Sequence, residues 1–464
     1  MDTIWFPDLS RCEGSKYKAL VDAIRNAIAN DHLVEGDKLP PVRELGWQLK
    51  VTPGTVARAY TCLTTDGFLK AEVGRGTFVA GLKSQTIVPI QPYTPEEWPD
   101  EINLLSPLLP DVGQSEAIRD AYLKMADMLP DETMMRYPST QRERPARQAV
   151  MNWISRLPLG VFDVDDIVLT YGGQSAILSV FQTVLKGAKP IIFAEDLTYS
   201  GFRHAAQLVR ADVVSIACDS EGLLPDALEK ACQQHEGQIL CTSPEMHNPT
   251  AQRTNLTRRK EIAEIARNYD LQIMEDNCYS MSDTDLPSYR ALLPHLTWYV
   301  SSLSKVFSPS LRIGYVVAPT GRAGDLSRTT QYSHFGIAKP VADLATLLLN
   351  SGKVDEIKTK MLGVLRARIK VAVNILGGFD LKWHEDAPFL WLSLPRGWRA
   401  ASFCRAAEKE GLLVRSADDF ALIDGRAPHA IRISVNAHIS IACYEDALVR
   451  LRRILLNPPD QIEI

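Results

Sequence analysis

The sequence predicts an α/β protein, in which a small N-terminal helical domain precedes a larger domain built on a largely parallel sheet. Residues 17–79 carry three amphipathic helical patterns and then a hairpin pattern. From residue 104 onward, short apolar strands alternate with helical stretches. A stretch with four prolines separates the two regions. We therefore expect folded regions at residues 10–81 and 104–464, joined by a linker at 82–103.

Composition restricts the class of protein. The chain has 464 residues, of which 45% are hydrophobic and 23% are charged, and no apolar run approaches the roughly 20 residues of a membrane-spanning helix. Its first residues lack the basic start and apolar core of a signal peptide. The eight cysteines form no C-x-x-C pair, so neither a metal site nor a disulfide framework is predicted. We expect a cytoplasmic protein that does not contact a membrane.

The first 80 residues predict a helix-turn-helix unit followed by a wing. Helical periodicity and start signals indicate helices over 17–30, 41–50 and 53–67, the third with Thr52 as its N-cap. The segment Phe68–Val79 then reads as two strands around the turn Gly74-Arg75-Gly76. Arg75 at the tip of this hairpin is predicted to enter a DNA minor groove.

The exposed face of the third helix carries the side chains expected to read DNA. Thr55, Arg58 and Thr61 are the predicted base contacts, because base edges are recognised by hydrogen bonds from such a helix. Arg43 and Lys50, at the two ends of the second helix, are predicted to contact phosphates. Residues 1–80 contain ten Lys or Arg and ten Asp or Glu, so this region has no excess positive charge. Charge alone therefore does not exclude the alternative that this helical domain has no nucleic-acid role.

The segment from Leu39 to Val79 resembles the winged-helix domain of the GntR family. The elements L-P-x-x-R-x-L, T-V-x-x-A-Y and G-R-G-T-F-V all match. Pro53 and Gly54 stand where family members often carry Arg and another polar residue, so a DNA contact that is usual in the family is expected to be missing, and the detailed site preference stays open. The resemblance implies that the N-terminal domain binds double-stranded promoter DNA.

The larger domain has six predicted strands, at Ile167–Thr170, Pro190–Ala194, Gln238–Thr242, Gln272–Glu275, Trp298–Ser301 and Ile313–Ala318. The fifth strand is followed by the sequence S-L-S-K-V-F-S-P-S-L-R, which holds Ser302, Ser304, Lys305 and Arg312. Pyridoxal phosphate needs a lysine for its Schiff base and donors for its phosphate. Lys305 is the Schiff-base candidate, and the two serines and the arginine suit the phosphate.

Residues after the other strands suit the ring of the same cofactor. Asp276 is predicted to pair with the pyridine nitrogen, and Tyr279 to donate a hydrogen bond to the phenolic oxygen. Asn248, in S-P-E-M-H-N-P-T, is a second donor to that oxygen, and Tyr199 is predicted to stack on the ring.

A glycine turn precedes an apolar helix after the first strand. Gly173 and Gln174 lie at the start of this helix and are predicted to present backbone N–H groups to the phosphate. A glycine turn alone is a weak signal, because it also shapes an ordinary strand-to-helix connection.

The joint order of these motifs resembles the fold-type I aminotransferases over about residues 104–455. The most specific match is S-x-S-K followed by P-x-L-R-x-G-Y. The resemblance implies a large α/β domain and a small C-terminal α+β domain that begins near Gly352. It also implies that Arg432 binds the α-carboxylate of a ligand, and that Tyr137 reaches the cofactor phosphate of the neighbouring subunit. Ala251 replaces the glycine that commonly follows N-P-T.

A GntR-type DNA-binding domain joined to an aminotransferase-like domain is the organisation of the MocR subfamily of regulators. This resemblance implies a domain-swapped homodimer that binds paired half-sites. The predicted function is a regulator that senses an amino acid or amine through external aldimine formation at Lys305. Two alternatives remain open from the sequence: an active aminotransferase with a vestigial N-terminal domain, and a DNA regulator whose aminotransferase-like domain is purely structural.

Overall fold

The computed structural model describes residues 7, 16–29, 32–65, 68–72, 76–80, 101–128, 132–422 and 427–458. The chain divides into two compact units, Met1–Glu96 and Glu97–Ile464. The predicted linker lies outside the described residues except for its last three, 101–103. Within the described part, no helix has the length and apolar character needed to cross a membrane.

The N-terminal unit is a three-helix domain with a hairpin, which confirms the predicted winged helix-turn-helix fold. Its elements are α1 (Lys16–Ala29), α2 (Val42–Gln48), α3 (Pro53–Thr65), β1 (Leu69–Glu72) and the antiparallel β2 (Gly76–Val79). The predicted inward face of α3, Val56, Tyr60 and Leu63, is at most 5% exposed. Thr52 Oγ1 accepts a hydrogen bond of 3.3 Å from the backbone N–H of Thr55, as expected of an N-cap.

The second unit begins with β3 (Ile102–Asn103), α4 (Gln114–Asp127) and α5 (Arg144–Ile154). Its α/β part then contains, in chain order, β4 (Ile167–Thr170), α6 (Gly173–Val184), β5 (Ile191–Glu195), α7 (Ser200–Leu208), β6 (Asp212–Ile216), β7 (Cys218–Asp219), β8 (Gly222–Leu223), α8 (Pro225–Gln234), β9 (Gly237–Thr242), α9 (Leu256–Asn268), β10 (Gln272–Asp276), α10 (Tyr289–Leu292), β11 (Thr297–Ser302) and β12 (Gly314–Val317).

Seven of these strands form one sheet within the described residues, in the order β4-β12-β11-β10-β9-β5-β6. Strand β12 runs antiparallel to both of its neighbours, and the other strands share one direction. The largely parallel sheet is therefore confirmed. The sequence prediction missed β6, because this edge strand is only partly buried and lacks a continuous apolar run.

Two more helices, α11 (Ala323–His334) and α12 (Lys339–Asn350), pack against α6 and α5. The predicted small α+β part follows them and contains α13 (Lys353–Leu376), β13 (Leu381–Lys382), β14 (Phe389–Ser393), α14 (Ala400–Lys409), β15 (Leu412–Leu413), β16 (Arg415–Ser416), β17 (Ala430–Ser434) and α15 (Ile441–Leu455). Four of its strands form a sheet in the order β13-β14-β17-β16, and β15 pairs with β3.

Sheet topology determines where the predicted site residues meet. Strands β5, β9, β10 and β11 are neighbours that run in the same direction, so their carboxyl ends lie along one edge. Asp276 is the last residue of β10, and the segments that follow β5, β9 and β11 carry Tyr199, Asn248 and Lys305. Ligands of open parallel sheets bind at such an edge.

Candidate functional site

The turn between β4 and α6 and the loop after β11 meet at a set of phosphate-type donors. The Arg312 guanidinium lies 3.4 Å from Ser304 Oγ and 3.2 Å from the backbone oxygen of Tyr171, to both of which it donates. Gly172 caps α6 with φ 83° and ψ 174°, and a Cβ atom at this position would collide with Arg312. A guanidinium, a serine hydroxyl and a helix N-terminus therefore converge here.

A cysteine that the sequence analysis did not single out lies beside this turn. The Ser302 hydroxyl donates to Cys278 Sγ at 3.6 Å, and a Cβ atom added to Gly173 would lie 2.7 Å from the same sulfur. Burial, with a further contribution from the Asp276 carboxylate, raises the pKa of the Cys278 thiol. Cys278 is therefore a neutral thiol that fills the space between the α6 turn and β11.

Asp276 ends β10 and is 9% exposed. One of its carboxylate oxygens accepts a hydrogen bond of 3.0 Å from the backbone N–H of Cys278. Burial raises the pKa of Asp276, and the negative charge of Glu195 raises it further. A buried carboxylate of this kind is stabilised as an anion by a nearby cation, such as a protonated pyridine nitrogen.

The lysine and the two tyrosines lie close to these groups. Lys305 is half-buried, and its Nζ lies 5.3 Å from the centroid of the Tyr279 ring. The Tyr199 hydroxyl donates to Gln174 Oε1 at 3.1 Å, which connects the predicted stacking residue to the first turn of α6. Burial, with smaller contributions from Tyr279 and Asp276, raises the pKa of Tyr199, so this phenol stays protonated.

Arg432 and Asn248 form a direct pair. Arg432 lies on β17 and is 4% exposed. Its guanidinium donates to Asn248 Oδ1 at 2.6 Å and to the backbone oxygen of Leu105 at 2.6 Å. The rings of Phe389 and Phe420 lie 5.2 and 4.8 Å from it. The small domain thus places a cation against the loop that follows β9.

His247, which was not among the predicted site residues, holds that loop in place. Its Nε2 lies 3.3 Å from the Glu195 carboxylate and 2.9 Å from the backbone oxygen of Leu197, and its Nδ1 lies 2.6 Å from Thr250 Oγ1. Burial alone lowers the pKa of His247, but the charge and hydrogen bond of Glu195, the backbone oxygen of Leu197 and the charge of Asp196 together outweigh burial and raise it. His247 therefore connects the loops that carry Tyr199 and Asn248.

Tyr137 lies at the surface of the second unit. Its side chain is 73% exposed and stacks on Phe335, with ring centroids 4.9 Å apart. An aromatic pair with this much exposed surface is typical of an interface between molecules. The role of Tyr137 in a neighbouring subunit stays a prediction.

The predicted base-reading residues lie on α3. The Arg58 guanidinium is exposed and stacks over the Tyr17 ring, 4.3 Å from its centroid. The Thr55 hydroxyl lies 2.9 Å from that of Thr52 in the N-cap, and the Thr61 hydroxyl donates to the backbone oxygen of Ala57 at 2.9 Å. These contacts orient the three side chains in the absence of DNA.

The predicted phosphate contacts lie at the two ends of α2. Arg43 and Lys50 are both exposed, and Lys50 has a φ of 51° in the turn that leads to α3. Arg75 lies outside the described residues.

The described residues fit pyridoxal phosphate. The glycine turn leaves room for a phosphate beside Arg312, Ser304 and the start of α6, where a Cβ atom would interfere. Lys305 and the Asp276 carboxylate supply an amine and an acid at the same edge of the sheet. These are the three kinds of group that the cofactor requires.

The chain matches two protein families. Residues 99–451 match aminotransferase class I and II, and residues 16–79 match the bacterial regulatory proteins of the gntR family. The chain is 27% identical over 454 residues to the uncharacterized HTH-type transcriptional regulator YdeF of Bacillus subtilis, covering 97% of this chain and 96% of that protein.

Another relative and a solved structure agree with this assignment. The vitamin B6 salvage pathway transcriptional repressor PtsJ of Salmonella typhimurium is 24% identical over 430 residues, covering 91% of this chain and 95% of that protein. The crystal structure of LysN, an alpha-aminoadipate aminotransferase from Thermus thermophilus, gives a TM-score of 0.67 at 23% identity, over 77% of this chain and 92% of that chain. This second likeness shows the fold.

The family match covers most of the chain and includes each segment of the candidate cofactor site. Pyridoxal phosphate is the cofactor of this family, as the sequence predicted. The chain therefore belongs to the aminotransferase class I and II family, and its additional gntR-family domain gives it the organisation of the MocR regulators.

Proposed function

We propose that this protein is a DNA-binding transcription regulator that uses pyridoxal phosphate at Lys305 to sense an amino acid or amine. One observation carries the proposal: a set of residues that suits this cofactor lies in the same chain as a gntR-family DNA-binding domain. A ligand-responsive domain attached to a DNA-binding domain needs no catalytic turnover to control transcription.

The geometry of the described residues supports the following cofactor contacts. Ser302, Ser304, Arg312 and the backbone N–H groups of Gly173 and Gln174 hold the phosphate. When bound, pyridoxal phosphate supplies an aldehyde that condenses reversibly with amines.

Five further side chains orient the ring and the amine. Asp276 pairs with the ring nitrogen, and Tyr279 and Asn248 donate to the phenolic oxygen. Tyr199 covers one face of the ring and is held there by Gln174. Lys305 would hold the cofactor through its side-chain amine, and an effector amine would compete for that position.

Arg432 binds the carboxylate of the effector, and its bond to Asn248 links effector binding to the cofactor contacts. An effector changes DNA binding only if it binds two states of the protein with different affinities. Thr55, Arg58 and Thr61 then read bases, while Arg43, Lys50 and Arg75 contact the DNA backbone and minor groove.

The assembly is a domain-swapped homodimer in the cytoplasm, with the linker at 82–103 joining domains of each chain. Tyr137, which is exposed beside Phe335, reaches the cofactor phosphate of the neighbouring subunit. A two-fold axis requires operators with paired half-sites.

Borohydride reduction followed by peptide mass spectrometry tests the cofactor assignment. The protein loaded with pyridoxal phosphate is expected to carry the reduced adduct on Lys305, and the Lys305→Ala variant to carry none there. Retardation of promoter DNA in a gel tests the regulator. Rapid amino transfer to 2-oxo acids without DNA retardation would instead identify an aminotransferase with a vestigial N-terminal domain.

A further inference from the structure

The segment between α1 and α2 extends the sheet of the wing. Residues 36–39 run antiparallel to β2, and backbone hydrogen bonds of 2.7 to 3.1 Å join the two. Lys38 is paired with Phe78 across this contact. The sequence prediction assigned only two strands to the wing, so the structure adds a segment that carries a lysine.

The Lys38 side chain extends towards the turn of the wing. Side chains two residues apart on a strand lie on the same face, so Gly76 shares a face with Phe78 and Lys38. An ideal Cβ atom at Gly76 would lie 3.0 Å from Lys38 Cε and 4.0 Å from Lys38 Nζ. The aliphatic part of this half-buried lysine therefore packs on the Gly76 backbone, and its ammonium lies at the first residue of β2.

Gly76 makes room for this side chain. Its φ is 120°, a conformation that favours glycine, and any side chain at this position would crowd Lys38. Gly76 directly follows Arg75 in the sequence, and Arg75 is the residue predicted to enter a DNA minor groove. The Lys38 ammonium thus lies at the base of the predicted DNA-contacting tip.

The charge of Lys38 is oriented for a partner outside the wing. Asp37, its acidic neighbour in the sequence, accepts a hydrogen bond of 2.9 Å from the backbone N–H of Val34. In the part of the chain that the structure describes, Lys38 forms no ion pair with an acidic side chain. Because the stem of Lys38 is already packed, binding an anion costs less side-chain entropy than for a fully mobile lysine.

We propose that Lys38 is a further DNA-binding residue, which contacts a backbone phosphate next to the groove that the wing enters. A minor groove is only about 6 Å wide and has phosphates on both sides, so a cation at the base of an inserted tip lies close to one of them. Duplex DNA also carries the negative charge that complements a lysine. This inference rests on the proposed function and adds a contact that positions the wing on the duplex.

Fluorescence anisotropy of the full-length protein with a labelled duplex from its own promoter region tests the inference. Lys38→Met keeps an aliphatic stem on Gly76 but removes the charge. It is expected to weaken DNA binding about threefold to tenfold and to reduce the slope of log affinity against log salt by about 1. Lys38→Arg is expected to keep most of the affinity. Lys230→Met, an exposed cation on α8, is the matched control and should bind as the original protein does.

Uncharged phosphates locate the contact. In a series of duplexes, one phosphate at a time is replaced by a methylphosphonate. At the phosphate that Lys38 contacts, this replacement should weaken binding by the original protein but have little further effect on Lys38→Met, because both changes remove the same interaction. Unchanged urea denaturation of Lys38→Met confirms that the variant is folded.

Equal DNA affinity of the original protein and Lys38→Met would overturn this inference alone. Identical methylphosphonate profiles for the two proteins would also overturn it, because any loss of affinity would then be indirect. If the original protein bound none of the duplexes, both the proposed function and this inference would be wrong.

Discussion

The Arg432 guanidinium donates a hydrogen bond of 2.6 Å to the side-chain oxygen of Asn248, across 184 positions of sequence. Both residues are at most 4% exposed. The contact joins a strand of the small domain to the loop after β9 in the large sheet. It therefore connects the residue assigned to the effector carboxylate with a residue assigned to the cofactor ring.

Replacing Asn248 should destabilise the second unit. In Asn248→Ala the buried guanidinium loses one of its acceptors, which is expected to lower the free energy of unfolding by about 1 to 3 kcal/mol. Urea denaturation of the cofactor-free protein measures this loss. Asn268→Ala, at the exposed end of α9, is the control and should change stability by less than about 0.5 kcal/mol. Equal stability of the two variants would contradict the importance of the contact.

The glycine turn gives a second prediction, with a control glycine of closely similar φ. Gly172 and Gly187 have φ values of 83° and 86°, but a Cβ atom at Gly172 would meet Arg312, whereas one at Gly187 has nothing within 4 Å. Both alanine variants carry the strain of a positive φ, roughly 1–2 kcal/mol. Only Gly172→Ala should weaken binding of pyridoxal phosphate, measured by absorbance or equilibrium dialysis. A similar loss of cofactor affinity in Gly187→Ala would point to a general effect of strain.

Stability should depend on pH through Glu275. Burial raises the pKa of this carboxyl to about 7 from 4.5, and the charge of Arg259 only partly opposes the shift. The folded state therefore binds the proton more tightly than the unfolded state. Protonation of Glu275 thus stabilises the fold, and this stabilisation is lost as the pH rises from about 4.5 to 7. Glu275→Gln removes this ionisation.

The free energy of unfolding of Glu275→Gln, relative to the original protein, should rise over that interval by on the order of 3 kcal/mol. Denaturation at a series of pH values measures the difference. Glu264→Gln, on the exposed face of α9, should show no such trend. A difference for Glu275→Gln that does not change with pH would rule out a carboxyl that titrates in this range.

Arg43 provides a test of the DNA-binding surface. If its guanidinium contacts a phosphate, Arg43→Ala should weaken binding to all DNA sequences alike and reduce the slope of log affinity against log salt by about 1. Fluorescence anisotropy at several salt concentrations measures both effects. Lys370→Ala, an exposed cation on α13, is the control. A loss confined to one DNA sequence would indicate a base contact instead.

The sequence predicted the strands that carry the site because each is a short apolar run followed by polar residues. It also indicated which chemical groups would meet, since the carboxyl ends of neighbouring parallel strands share one edge. The antiparallel direction of β12 could not be predicted from its own residues. That direction depends on the short return through Lys305 and Arg312, and only an antiparallel strand can follow so short a connection.

His247 was missed for a different reason. His247 becomes informative only when β5 brings Glu195 to 3.3 Å from it. Cys278 likewise gains its position from Gly173, more than 100 residues earlier in the chain.

The most direct test is the DNA affinity of the cofactor-loaded protein with and without an amino compound that shifts the cofactor absorbance, measured by fluorescence anisotropy alongside Lys305→Ala. The amino compound is expected to change the affinity of the original protein, while Lys305→Ala still binds DNA but no longer responds. The same response in both proteins, or a response in neither to any amino compound, would contradict sensing through Lys305.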